Sequence, residues 1–329
     1  MIEKFDNVHE FLKVKLEELV TKGTTVKSTN YDKDGKYTGN SGGNEIVELG
    51  HQFFGIKDPT KTIFNFKNYK TREWWMVGEI LTEFLNINPP IMSKYRADII
   101  EKSYKLTAQG TCEYLYGTRW SQWNQIENVR KKLADNPNSK KAIIQTWFLD
   151  DSAPNKKDSP CNIHYMFLNR DNKLDMTATI RSNDIMRGCK YDYFLASFMQ
   201  QSLASWINLD IGELYFHVNS LHFYKNDLET ITNFLKNPEE KDIISLKIPK
   251  GLDVRDYWND LRHIKKVEEA TYNQAFDYAD KNINDISINL FKDFARIFAI
   301  KNAKHYKIEK LVNKYKNEIE SEEIKKWLK

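Results

Sequence analysis

Apolar residues recur along this chain with two different periods, and the change of period marks the elements. Over residues 3–20, Phe5, Val8, Phe11, Leu12, Leu16 and Leu19 fall at helical spacing, which predicts an amphipathic helix. Residues 21–44 are polar and rich in Gly, Thr, Asn and Lys, the composition of a loop. Within it, Gly39, Gly42 and Gly43 would let backbone amides approach an anion, or would serve only a flexible hairpin. Residues 45–54 and 61–66 read as strands, 71–86 as a helix carrying Glu73, Trp74, Trp75 and Leu81, and 124–134 as a helix closed by Asn136-Pro137. Ala142–Leu149 reads as a buried strand, followed by a polar loop over 150–160. Strands at 161–168 and 173–181 flank the turn Asn169–Asn172; a mostly apolar helix over 190–207 and a strand over 213–223 follow.

From about residue 252 the character shifts to long charged helices ending in a Lys/Glu-rich segment. This divides the chain into 1–251, the expected catalytic domain, and 252–329, a charged helical C-terminal extension. Strands and helices in mixed order indicate an α+β or α/β fold.

Composition narrows the function. The 329 residues are 40% hydrophobic and 13% aromatic, enough for a sizeable core. Fifty basic and 46 acidic residues leave a net charge of only +4, which argues against nucleic acid as the main partner. Cys112, Cys161 and Cys189 make no paired disulfide framework and no Cys/His metal spacing, so no metal is expected and the setting reads as reduced and cytoplasmic. Met1–Leu19 alternates charged and apolar residues, unlike a signal peptide, and no apolar run is long enough to span a membrane.

The chemistry concentrates between residues 160 and 224. A cysteine is most often a small buried hydrophobe, and Cys112 and Cys189 take that reading. Cys161 differs: it follows a polar loop and Pro160 at the start of a strand, and Arg181 downstream would favour its thiolate. Arg181 and Ser182 can clamp phosphate oxygens; the alternative is a surface ion pair between Arg181 and Asp184. His222 and Tyr224 share one face of a strand, where they can bond a sugar hydroxyl.

These blocks resemble the thymidylate synthase family. The resemblance rests on Pro160-Cys161, on Arg181-Ser182-Asn183-Asp184 with Gly188, and on Tyr116-Gly117 with Arg119-Trp120. Asn136-Pro137 with Ser139-Lys140-Lys141, Gly50-His51-Gln52, Arg72-Glu73 and Leu221–Tyr224 extend it over roughly residues 45–225. It implies a mixed sheet flanked by helices and a folate-dependent one-carbon transfer. Cys161 would attack C6 of a pyrimidine nucleotide, and 5,10-methylenetetrahydrofolate would be co-substrate. Tyr116 would assist removal of the C5 proton, Glu73 would organise water around the base, and Asp184 with Gly188 would contact the folate. Arg181 and Ser182 would hold the phosphate, with Lys140 and Lys141 reaching over from the neighbouring subunit of a homodimer that shares its active sites.

Departures from the family pattern carry as much information. Asp192 stands where thymidylate synthases have asparagine. An amide matches the O4 and N3–H edge of uracil, whereas a carboxyl group matches the amino group and N3 of cytosine. This is similar to the deoxycytidylate hydroxymethylases known from phages, and extends the setting to the cytoplasm of an infected host cell. The competing reading of Asp192 is a helix N-cap. Lys140-Lys141 replaces paired arginines, and the phosphate-gripping loop arginine has no clear match, Asn40 falling near it and Lys36 offering a substitute. The chain ends in Lys325–Lys329 rather than an apolar tail, so water is expected to quench the exocyclic intermediate. The leading expectation is therefore conversion of dCMP to 5-hydroxymethyl-dCMP. A dCMP methylase, a CMP hydroxymethylase, a divergent thymidylate synthase and a nucleotide- or RNA-binding protein that kept the fold remain the alternatives.

Overall fold

A computed structural model of the chain describes residues 2–27, 45–69, 71–87, 115–153 and 159–329. Gly39, Gly42, Gly43, Lys36, Asn40 and Cys112 lie outside the described residues. A single mixed sheet organises the rest. Its strands are β1 (Glu3–Phe5), β2 (Thr24–Lys27), β3 (Glu45–Ile56), β4 (Ile143–Gln145), β5 (Asn162–Arg170), β6 (Lys173–Ile180), β7 (Asn183–Asp184) and β8 (Asp210–Tyr224). The order across the sheet is β1-β3-β8-β6-β5-β4, with β2 added to β3 and β7 to β8. β3 and β8 run antiparallel, β6 and β8 parallel. This is the mixed sheet with flanking helices that the sequence leads one to expect.

Two helices cover one face. α1 (Val8–Lys22) starts at Asn7, whose side chain accepts from the amides of His9 and Glu10. The helix is shorter than its apolar periodicity predicts. Residues 3–5 instead pair with Phe54–Ile56 as β1, because Phe5 buries its ring against Phe11 and Phe54 from an extended backbone. The second covering helix comes later in the chain, after α2 (Glu73–Leu85), α3 (Tyr116–Ser121) and α4 (Gln125–Asp135). This is α5 (Cys189–Trp206), in which every residue from Tyr193 to Trp206 is buried. Tyr193 stacks on Phe216 of β8 at 3.9 Å and meets Phe11 at 5.3 Å, locking both helices to the sheet.

The strand expected at 61–66 does not form. Ile63, Phe64 and Phe66 are buried, but the backbone finds other partners: the Asn65 amide donates to His9 Nε2 at 3.0 Å, and only Phe66 bridges to Glu240. A buried apolar run thus looks like a strand while a side chain replaces its ladder. The strand expected over Ala142–Leu149 keeps three residues. The amides of Thr146 and Trp147 both bond the Ile163 carbonyl, a doubling that ends the pairing before a 3-10 turn at Leu149–Ser152.

After β8 come α6 (Leu228–Lys236), α7 (Val254–Tyr272), α8 (Phe276–Asn284), α9 (Asn289–His305), α10 (Glu309–Glu318) and α11 (Glu322–Trp327). Their apolar faces join the same core as the sheet helices. Phe198 stacks on Phe291, Ser202 bonds Tyr257, and Trp327 packs against Phe194. Trp327 Nε1 also reaches Thr71 Oγ1 at 3.4 Å, just before α2. Among the described residues no helix is long and apolar enough to cross a membrane.

The sheet's other face has no covering helix among the described residues. Phe53, Ile143, Met166 and Leu168 stand exposed there, with His217 beside Phe53.

Candidate active site

The site gathers where α2, α3, α5 and the ends of β5, β6 and β8 converge. Cys161 immediately precedes β5 and is partly buried. Arg181, following β6, braces it: the Arg181 amide donates to the Cys161 carbonyl at 2.9 Å. Its guanidinium donates to the Pro160 and Ser159 carbonyls at 2.9 and 2.7 Å. These bonds fix Arg181 to the backbone around Cys161. The surface pair with Asp184 is not; Asp184 is paired with Arg187 instead.

Tyr116 opens α3, and its hydroxyl oxygen accepts from the Asn162 amide at 3.3 Å, one residue beyond Cys161. Burial holds that hydroxyl well above its usual pKa, and the charges of Asp192 and Cys161 add to the shift, which puts all three side chains in one neighbourhood. Gly117 explains how Tyr116 gets there. A Cβ on Gly117 would sit 2.1 Å from the Glu83 carbonyl oxygen, so only glycine lets α3 lie against α2. The Gly117 amide donates to Glu83 Oε2 at 2.5 Å, and Arg119 forms a buried two-pronged pair with Asp151 at 2.8 Å.

Asp192 lies inside the first turn of α5 and is not its cap: Gly188 holds the N-cap position, which overturns the helix-cap reading. The Asp192 carboxylate accepts from Asn183 Nδ2 at 3.0 Å. Burial raises its pKa to about 7, with Glu79 and Asp184 pushing the same way and the Asn183 bond pulling down. A carboxyl with a pKa near 7 can take up a proton near neutrality, and in that form it both donates and accepts.

Glu73, the carboxylate expected beside the base, begins α2, and burial raises its pKa while Lys304 and Lys241 pull it down. The carboxylate of α2 that acts on Asp192 is Glu79, six residues on and on another face. The signal available for it was a carboxylate in the apolar stretch Met76–Leu81.

The remaining expected residues fall in several places. Asp184 Oδ1 accepts from the Met186 and Arg187 amides, while Oδ2 takes Arg187 Nη1 at 3.0 Å. Arg187 also pairs with Asp227 and lies 4.8 Å over the Tyr224 ring. Gly188 has helical angles, so its backbone does not require glycine. Burial lowers the pKa of Lys190 to about 8. His222 is buried beside Tyr224, their rings 5.9 Å apart, and burial lowers its pKa against the opposing pull of Asp184. Ser182 is partly buried next to Arg181. Lys140 and Lys141 are exposed in the segment leading into β4 at the sheet edge, with no ion pair to a described residue. Cys189 is fully buried, as the bland reading of it requires. Among the described residues no cluster of His, Cys, Asp and Glu has the makings of a metal site.

The comparisons agree with this arrangement. The thymidylate synthase family profile matches residues 56–274. A thymidylate synthase of Listeria monocytogenes is 28% identical over 175 residues, covering 51% of this chain and 55% of that protein. One from Francisella philomiragia is 27% identical over 203 residues, covering 56% and 70%. This chain thus spans only about half the length of the Listeria relative. Among solved structures, the thermostable thymidylate synthase A of Bacillus subtilis superposes with a TM-score of 0.56 at 16% identity, over 75% of this chain and 87% of that one. With the profile covering well over half of its residues, the chain belongs to the thymidylate synthase family.

Proposed function

We propose that this chain transfers a one-carbon unit from 5,10-methylenetetrahydrofolate to C5 of dCMP and, with water, releases 5-hydroxymethyl-dCMP and tetrahydrofolate. The observation that carries the reading is Asp192, a carboxyl group with a pKa near 7 in the neighbourhood of Tyr116 and Cys161. A carboxyl of that kind accepts from the C4 amino group of cytosine and donates to N3. A mismatched edge would leave a buried polar group unpaired.

The chain's own residues then divide the work. Cys161, braced by Arg181, attacks C6, and the electron pair moves to C5. Arg181 and Ser182 hold the phosphate, and His222 and Tyr224 meet the sugar. Tyr116, whose hydroxyl stays protonated, relays the C5 proton through water. The role that resemblance assigns to Glu73 passes to Glu79, which acts on Asp192 and thereby on the base edge. Trp75 and Tyr191, 6.2 Å apart, offer flat faces, and Asp184 a fixed carboxylate, so the residues present fit a folate. When bound, the folate supplies the methylene carbon. Arg187 and Asp227, paired beside Asp184, put charged groups next to that carboxylate, which favours water as the final nucleophile. Carbon and oxygen balance without a net oxidation: methylene plus water gives hydroxymethyl, and the folate leaves as tetrahydrofolate.

The uncovered sheet face, with Phe53, Ile143, Met166 and Leu168 exposed, supports a homodimer. Lys140 and Lys141 would then serve the partner's phosphate. The chemistry is assigned to 1–251, with 252–329 backing α2 and α5. The second reading is a thymidylate synthase acting on dUMP, as the names of the relatives favour. Mass spectrometry of the products formed from dCMP, CMP and dUMP separates the readings. Asp192→Asn is expected to move the dCMP:dUMP ratio of kcat/KM toward dUMP by about 100-fold. An unchanged ratio removes Asp192 from base selection.

A further inference from the structure

Asn183 sits on β7 with 1% of its surface exposed. Its Nδ2 donates to Asp192 Oδ2 at 3.0 Å, while its own Oδ1 is buried with no hydrogen-bond partner among the described residues. Unpaired buried acceptors are costly and rare. The amide nitrogen toward Asp192 serves both states of the carboxyl, whereas the reversed amide would set oxygen against oxygen whenever Asp192 is ionised. The fold thus leaves one acceptor unsatisfied to keep a donor on Asp192 Oδ2.

We propose that Asn183 is a positioning residue for base selection: by donating to Oδ2 it leaves Oδ1 to carry the proton of Asp192, so that the carboxyl meets cytosine as donor to N3 and acceptor from the amino group. This rests on the cytidylate reading above. An oxygen that already accepts an amide N–H is the poorer place for a proton. Without that bond the carboxyl would place its proton on either oxygen. One arrangement matches cytosine and the other matches uracil, so discrimination would be lost. The groups whose charges bear on Asp192 come from several elements. Glu79 of α2 and Asp184 of β7 both raise its pKa, and Tyr116, Tyr165, Cys189 and Tyr193 lie within reach of its charge. Of the groups that set the Asp192 shift, Asn183 is the one that favours the ionised form.

The test uses the full-length protein with 5,10-methylenetetrahydrofolate, comparing kcat/KM for dCMP and dUMP over roughly pH 5.5–9. Asn183→Leu keeps the size and removes the donor. Its dCMP:dUMP ratio is expected to fall roughly tenfold. Its alkaline limb is expected to rise by about one pH unit, since losing a bond to the charged form raises the pKa of Asp192. Asn183→Asp keeps the shape, puts a second carboxyl beside the first and should raise the limb further; it also serves if circular dichroism shows Asn183→Leu unfolded. A wild type that prefers dCMP with both variants unchanged in ratio and limb overturns this inference alone. A wild type that prefers dUMP overturns the cytidylate reading and this inference with it.

Discussion

On the proposed function Cys161 is the nucleophile and Asp192 the recogniser of the base, and each predicts a separate loss. Cys161→Ser replaces a thiolate by a poorly ionised hydroxyl, and turnover should fall by at least about 1,000-fold. Calorimetric dCMP affinity should stay within a few-fold, because Arg181, Ser182 and His222 remain. Retained turnover would dismiss the covalent route. For Asp192 the sign of the pH effect follows from its state. The folded carboxyl is neutral below about 7 and charged above it. Recognition of cytosine N3 needs the neutral form, so kcat/KM for dCMP should decline as pH rises through that value. A flat profile between roughly pH 6 and 8 would argue against a protonated Asp192. Cys161, Arg181 and Asp192 could be singled out in the sequence because their residue types are suited to the proposed chemistry. Glu79 could not, since only the fold decides which of the three carboxylates on α2, Glu73, Glu79 and Glu83, comes within reach of Asp192.

α2 and α3 meet at a contact that tolerates no side chain, which makes Gly117 a sharp test of the packing. Gly117→Ala forces a Cβ into the Glu83 backbone and should cost about 1–3 kcal/mol. Thermal unfolding would register this as a lower Tm, and the displaced Tyr116 should lower kcat as well. Asp151→Ala is expected to cost about 3–5 kcal/mol, because it strands Arg119, 3% exposed, without its partner. Wild-type stability in either variant would mean that α3 relaxes freely. At this scale, helical periodicity located α2, α4 and α5 well. The strand reading failed at 61–66, where burial is continuous but a side chain replaces the ladder, and at 146–149, where a doubled carbonyl ends the pairing and Leu149 stands exposed.

The exposed sheet face sets the largest prediction. Leu168→Lys places a charge on that face and should convert a dimer to monomer in analytical ultracentrifugation. Mixing Cys161→Ser with Lys140→Ala/Lys141→Ala protein should restore part of the activity, because hybrid dimers hold one intact site. No rescue after subunit exchange would show that these lysines act within their own subunit or on no phosphate. Removing 252–329 would uncover Phe198 and Trp206, which pack on Tyr257 and Phe291, so cooperative unfolding should be lost.

By itself the sequence determined most of the element types and the mixed α+β class. Periodicity and residue chemistry are local properties. Only the tertiary structure decided that Asp192 is half-buried within reach of the Glu79 and Asp184 charges, which raises its pKa to about 7. It alone decided that Asn183 holds one of the Asp192 oxygens, and that the C-terminal helices share the core of the sheet. Those properties depend on which distant segments exclude water from a side chain, and that is settled by packing rather than by spacing along the chain.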